Sequence, residues 1–232
     1  MILLGTIVNT CTILTGSILG GILRKGLREE YRKVLYQAMG FAAAGLGINA
    51  IVQNMPESQY PVLFIASLAV GGLCGTMLDI DGRFQRLTER FSNGKLGEGL
   101  ATAILLFCIG TLSILGPIQS SLYGNNQYLF TNAMLDLVTS MVLASAYGIG
   151  IALAAPVLFL WQGSIYLAAS LLQDFLTREL MTEIAIVGGF LIAASGISIL
   201  EIKNCKTLNM LPALLVPVLW FILKAAATVL FR

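Results

Sequence analysis

The stretch "TNAMLDLVTSMVLASAYGIGIALAAPVLFLWQGSIYLAASLLQ", Thr131–Gln173, decides the fold, because it is apolar throughout and carries a single charge, Asp136. A helix rises about 1.5 Å per residue and crosses a hydrocarbon layer of about 30 Å in roughly 20 residues. The stretch is therefore about twice the length of one span and predicts two helices, over 131–149 and 155–173. The turn falls in "AYGIGIALAAP" (Ala146–Pro156), where Gly148 and Gly150 loosen the helix and Pro156 suits the first turn of the next.

Runs of the same kind recur on both sides, at 2–23, 34–53, 61–79, 98–116, 184–202 and 210–230. None shows the broad polar stripe of a soluble amphipathic helix. The 232-residue chain is 57% hydrophobic and only 11% charged, where a soluble domain carries roughly 25% charged residues. The expected fold is an all-α polytopic membrane protein, one transmembrane domain over 1–232 with about eight membrane-spanning helices. The start, "MILLGTIVNTC", has no basic residue ahead of its apolar run and no small-residue cleavage motif after it, unlike a removable signal peptide.

Basic residues test that count. With eight spans, the loops on one side hold Arg24, Lys25, Arg28, Arg32 and Lys33, then Arg83, Arg86, Arg90 and Lys95, then Lys203 and Lys206. The other side holds Arg178 and Arg232. The excess of positive charge marks the cytoplasmic side, which places both termini outside. Merging 131–173 into one span would move Lys203 and Lys206 outside and destroy the pattern.

Two glycine-laden stretches echo one another. "GFAAAGLGINAI" (Gly40–Ile51) and "GFLIAASGISIL" (Gly189–Leu200) match at an offset of 149 residues. "TGSI" (Thr15–Ile18) matches "QGSI" (Gln162–Ile165) at 147, and Pro61 matches Pro212 at 151. Either two small-residue stretches coincide by chance, or the first three helices are a diverged copy of the last three. On the second reading the chain divides into a repeat over 1–79, a central pair over 98–149 and a second repeat over 150–232. Five crossings separate the starts of the copies, so they would insert upside down, as in many secondary transporters.

Several short motifs occur in a fixed order: "GTIVN" (Gly5–Asn9), "GSILG" (Gly16–Gly20), "FCIG" (Phe107–Gly110), "ILGPIQ" (Ile114–Gln119), "WQGS" (Trp161–Ser164) and "NMLPAL" (Asn209–Leu214). With them the chain resembles, over essentially its whole length, the bacterial membrane family of unknown function typified by YqgA and YdfK (domain of unknown function 554). The resemblance implies a multi-pass protein of the bacterial cytoplasmic (inner) membrane and a transport role, without a substrate or a catalytic assignment. The family favours an acidic residue and glycine where this chain has Ser120 and Ser121, and glycine where it has Leu137.

Candidate site residues are the polar groups inside spans. Asp136 lies about five residues from the outer end of its helix, where a deep aspartate would cost roughly 2.5–3.5 kcal/mol. Either it faces a cavity or a partner and binds a cation or carries a proton, or it is an interfacial residue wetted by headgroups or a structural ion pair. Lys224, the other intramembrane charge, either snorkels to the interface or pairs with Asp136. Asn9, Asn49 and Gln162 offer amide groups, with Thr12, Thr15, Ser17 and Ser164 beside them. They either hydrogen-bond between helices or line a polar path. In "FCIGTLSILGPIQ" (Phe107–Gln119), Gly110, Gly116 and Pro117 either break a helix and free carbonyls for an ion or simply end it. Asp79 and Asp81 make too few oxygens for a divalent-cation site.

The chain has no histidine, and Cys11, Cys74, Cys108 and Cys205 are scattered, which points to no metal centre, no disulfide framework and no cofactor. No nucleophile–base pair suggests an enzyme, and the basic loops read as topology signals rather than nucleic-acid contacts. The expected function is a transporter or channel-like protein for a small solute or cation, bound at Asn9, Asn49, Asp136 and Gln162 with help near Gly110 and Gly116. A non-transporting scaffold or sensor is the alternative. Small-residue faces at Gly16–Gly20 and Gly71–Gly75 invite close packing, in a homodimer or within the chain.

Overall fold

The computed structural model describes residues 3–23, 28–83, 86, 94–109, 111–172 and 177–230. The long helices are α1 (Leu4–Ile22), α2 (Glu29–Asn54), α3 (Leu63–Met77), α4 (Gly94–Ile109), α5 (Thr111–Tyr123), α6 (Gln127–Tyr147), α7 (Ala154–Leu171), α8 (Arg178–Ile199) and α9 (Leu215–Leu230). A helical turn at Thr207–Met210 and a tight 3-10 turn at Leu211–Leu214 lead into α9. No strand occurs among the described residues.

Length and composition let α1, α6, α8, the turn-plus-helix ending Ile149–Leu171 and the segment Thr207–Lys224 each cross a membrane. The helical stretches Thr102–Cys108 and Thr111–Tyr123 qualify together, bent by 43°. Burial is inverted relative to a water-soluble protein: Asn9, Ser113 and Gln162 are fully buried, while Leu160, Leu171 and Leu223 are exposed. Apolar side chains outside and polar ones inside suit a hydrocarbon solvent.

The long apolar stretch breaks where the sequence places its turn. Helix α6 ends at Tyr147, and Gly148 takes φ 100° and ψ 170°, a backbone region that is essentially restricted to glycine. A 3-10 turn over Ile149–Leu153 then feeds α7. Several boundaries differ from the sequence reading: α2 begins five residues before 34 and α8 six before 184. Helix α6 begins four residues before 131, because the Asn125 side chain accepts a hydrogen bond from the Gln127 backbone N–H at 2.9 Å. The segment read as 98–116 does not end at Gly116-Pro117; α5 carries Pro117 inside it and continues to Tyr123.

The chain forms two compact units, each drawn from two separate stretches: Met1–Gly40 with Gly82–Gln173, and Phe41–Asp81 with Asp174–Arg232. In the first unit α1 lies along α6, α6 packs on α5, α5 on α7 and α7 on α1, closing a four-helix ring. Glycines fix its register. A Cβ at Gly5 would strike Leu129, at Gly16 the Leu137 carbonyl and Ser140, and at Gly20 the Met141 carbonyl and Ala144. The numbers rise together, so α1 and α6 run parallel. Gly99 meets Tyr147 and Gly116 meets Leu129, so α4 and α5 together run antiparallel to α6 along its length.

In the second unit α8 is the buried centre, with thirteen buried residues from Leu180 to Gly196. The Thr177 side chain caps its first turn through the Leu180 N–H. Gly47 of α2 abuts Gly189 and Ala193, and Gly189 in turn abuts Ala50 and Ile51, so these helices cross antiparallel at their glycines. Gly71 lies against Ala213 and Gly75 against Asn209, making α3 antiparallel to the C-terminal segment. Phe64 stacks on Phe190 with centroids 4.9 Å apart. Both small-residue faces that suggested a homodimer are thus occupied inside the chain.

Candidate functional site

The ring of α1, α5, α6 and α7 carries a polar layer. Asp136 is buried on α6, nine residues beyond Gln127 rather than about five from the helix end, a depth of roughly 13 Å. Asn132, one turn earlier on the same face, donates its amide Nδ2 to Asp136 Oδ2 at 2.9 Å. Across the α1–α6 seam, the fully buried Asn9 turns its amide toward the same carboxyl, although its Nδ2 makes no hydrogen bond of standard geometry. Thr12 donates to the Asn9 backbone carbonyl at 2.7 Å, and its hydroxyl lies 3.5 Å from the Asn9 side-chain oxygen.

Gln162 of α7 is also fully buried and donates Nε2 to Ser113 Oγ of α5 at 3.0 Å. The glycine register of α5 against α6 sets Ser113 opposite Asn132, so four helices deliver polar side chains at one depth. Pro117 has no N–H, so it supplies no hydrogen bond to the Ser113 carbonyl one turn before it. Among the described residues, four buried polar atoms in this unit have no hydrogen-bond partner: Thr6 Oγ1, Asn9 Nδ2, Ser17 Oγ and Gln162 Oε1. Such orphans are costly, about 1–3 kcal/mol each, and native structures hold few of them.

Beyond Asp136, toward the Tyr147 end of α6, the interior turns apolar. Ile13, Phe107, Ala144, Ile151 and Leu158 form a buried cluster with Cys108. An apolar cluster therefore lies on one side of the polar layer.

The sequence candidates separate cleanly. Asn9, Asp136 and Gln162 lie in the first unit, as does Gly116, which packs on Leu129. Gly110 lies outside the described residues. Asn49 is exposed and belongs to the second unit. Lys224 sits 4.0 Å from Glu179, with its Nζ over the Tyr60 and Phe221 rings, while Asp136 takes Asn132. Thr15 and Ser164 donate to carbonyls of their own helices, Cys11 and Trp161, which leaves them little role in a site.

Sequence reasoning missed Asn132, Thr6 and Glu183. The first stands four residues from the only intramembrane acid of its helix, and that spacing was the available signal. Glu183 is buried near the start of α8 and accepts from Ser58 Oγ at 2.6 Å and the Tyr60 N–H at 3.3 Å. Beside it, Arg178 pairs with Glu57 at 2.8 Å and Gln59 donates to Glu179 at 3.0 Å. This latch ties the α2–α3 connection to α8.

Comparison with known proteins agrees with a membrane-embedded chain. It is 58% identical over 222 residues to the uncharacterized membrane protein YdfK of Bacillus subtilis (strain 168), covering 95% of this chain and 97% of that one. It is 27% identical over 223 residues to the uncharacterized protein YqgA of Escherichia coli (strain K12), covering 91% and 93%. No solved structure matches. A family model described as protein of unknown function (DUF554) matches residues 4–222, so the chain belongs to that family of membrane proteins.

Proposed function

We propose that the protein is a transporter or channel-like protein for a small solute or ion, acting in the bacterial cytoplasmic membrane through eight crossings with both termini outside. The observation that carries this reading is the layer of Asn9, Asn132, Asp136, Ser113 and Gln162 inside the four-helix ring, with unpartnered polar atoms and an apolar cluster on one side. A transporter needs a polar site inside the bilayer that is closed from at least one face.

Helix directions support eight crossings. The parallel run of α1 and α6 requires an odd number of crossings between them, which α2, α3 and the bent α4–α5 pair supply. The antiparallel run of α2 and α8 requires an even number, supplied by α3, α4–α5, α6 and α7. An inverted repeat also fits. Each matched pair of segments (α1 with α7, α2 with α8, α3 with the stretch around Pro212) packs together within one unit. The reading assigns no catalysis and no cofactor; the partners are the bilayer and the transported species.

The test is reconstitution in liposomes with fluxes of Na⁺, H⁺ and small metabolites. Flux above protein-free vesicles is expected, and its loss in Asp136→Asn. No flux for any species would favour a scaffold or sensor, a reading supported by the two paired contacts Asn132–Asp136 and Gln162–Ser113.

A further inference from the structure

The polar layer contains one carboxyl group, that of Asp136, and, among the described residues, no buried lysine or arginine beside it. A carboxyl removed from water either carries a proton or is held ionised by a counter-charge, because neutral amide dipoles alone leave most of a carboxylate's desolvation cost standing. The other buried polar groups of this layer carry oxygens. Thr6 stands three residues before Asn9, on the same face of α1, and its hydroxyl is buried without a partner. Gln162 Oε1 is equally unpartnered, with its Nε2 occupied by Ser113. The Asn9 amide offers an oxygen to the same space after a half-turn of its side chain.

Charge and ligand type select the occupant. Divalent-cation sites gather several carboxylates, whereas no group of three His, Cys, Asp or Glu side chains occurs among the described residues. Carboxylate, amide and hydroxyl oxygens suit hard cations rather than soft transition metals. We propose that this layer binds one dehydrated monovalent alkali cation of the Na⁺ class, with Asp136 as counter-charge and oxygens of Asn9, Asn132, Thr6 and Gln162 replacing its water. The inference rests on reading the layer as the solute site, and it names the chemistry of what binds there.

Equilibrium binding separates it from transport. Purified full-length protein in detergent, kept in choline buffer, is titrated with radioactive Na⁺ and competed with unlabelled Li⁺, K⁺ and choline. Saturable binding near one ion per chain is expected, displaced by alkali cations and not by choline. Asp136→Asn, isosteric with the native side chain, is expected to weaken it about 100-fold or more, the consequence of stripping one partner from a buried charge pair. Asn132→Ala, with the carboxylate intact, is expected to weaken it less. Unchanged melting of both variants in choline confirms that they fold; should either melt early, cross-competition in the native protein decides alone. No saturable binding, displacement by choline, or full binding by a folded Asp136→Asn overturns the cation site. Liposome flux without such binding would overturn it and leave transport standing, whereas binding without flux upholds the site and removes transport.

Discussion

At the scale of single residues, the costliest groups define the molecule. Asp136 announces itself in the sequence because a charge inside a span is expensive, and Gln162 and Asn9 because each interrupts an apolar run. What sequence could not tell is which amides converge, since Asn49 interrupts its run just as Asn9 does and yet is exposed on α2. The difference lies in helix register, set by where Gly5 and Gly16 let α1 settle on α6. Glu183 escaped notice for another reason: its helix starts at Arg178, six residues before the apolar run was read to begin, so it looked like a loop charge. Its carboxyl is held by two hydrogen bonds and is buried, and bonds to charged groups contribute about 1.5–3 kcal/mol. Glu183→Ala is expected to destabilise the fold by about that much and to expose the Asn54–Tyr60 connection to protease, measured by melting in detergent and limited digestion. Equal digestion of variant and parent would remove the latch.

At the scale of elements, the sequence marked the break at Gly148 because length alone forbade one span and glycine offered the exit. With φ at 100°, any side chain there is strained by about 1–3 kcal/mol. Gly148→Ala is accordingly expected to lower the melting temperature without changing helix content by circular dichroism; an unchanged melting temperature would mean that the turn relaxes freely. The opposite happened at Gly116-Pro117. Both residues read as either a helix break or a terminator, but neighbouring helices carry α5 past them: Gly116 tucks against Leu129, and the Ser121 hydroxyl donates to the Tyr166 carbonyl at 2.9 Å. Tertiary packing in lipid tolerates a proline that propensity alone rejects.

At the scale of the whole molecule, charge asymmetry predicts the order of crossings in the proposed arrangement. Reporter fusions at Gly124 and Lys203 are expected on opposite sides of the membrane, the first outside and the second in the cytoplasm; a shared side would sink the eight-crossing arrangement. The division into compact units was not legible, because repeats are read along the chain whereas packing joins segments across it. Sequence matches 1–79 with 150–232 as repeats, whereas packing gathers Met1–Gly40 with Gly82–Gln173 into one compact unit, and the two groupings describe different things.

That gathering sets a timetable for biogenesis. Helix α1 ends at Ile22, but its parallel partner α6 begins only at Gln127. At about 5–20 residues per second of synthesis, α1 waits on the order of 5–20 s in the membrane with its glycine face and Asn9 unmet. Something must shelter that face meanwhile, a lipid, a chaperone or the insertion machinery, and chains released before α6 emerges are natural prey for membrane proteases.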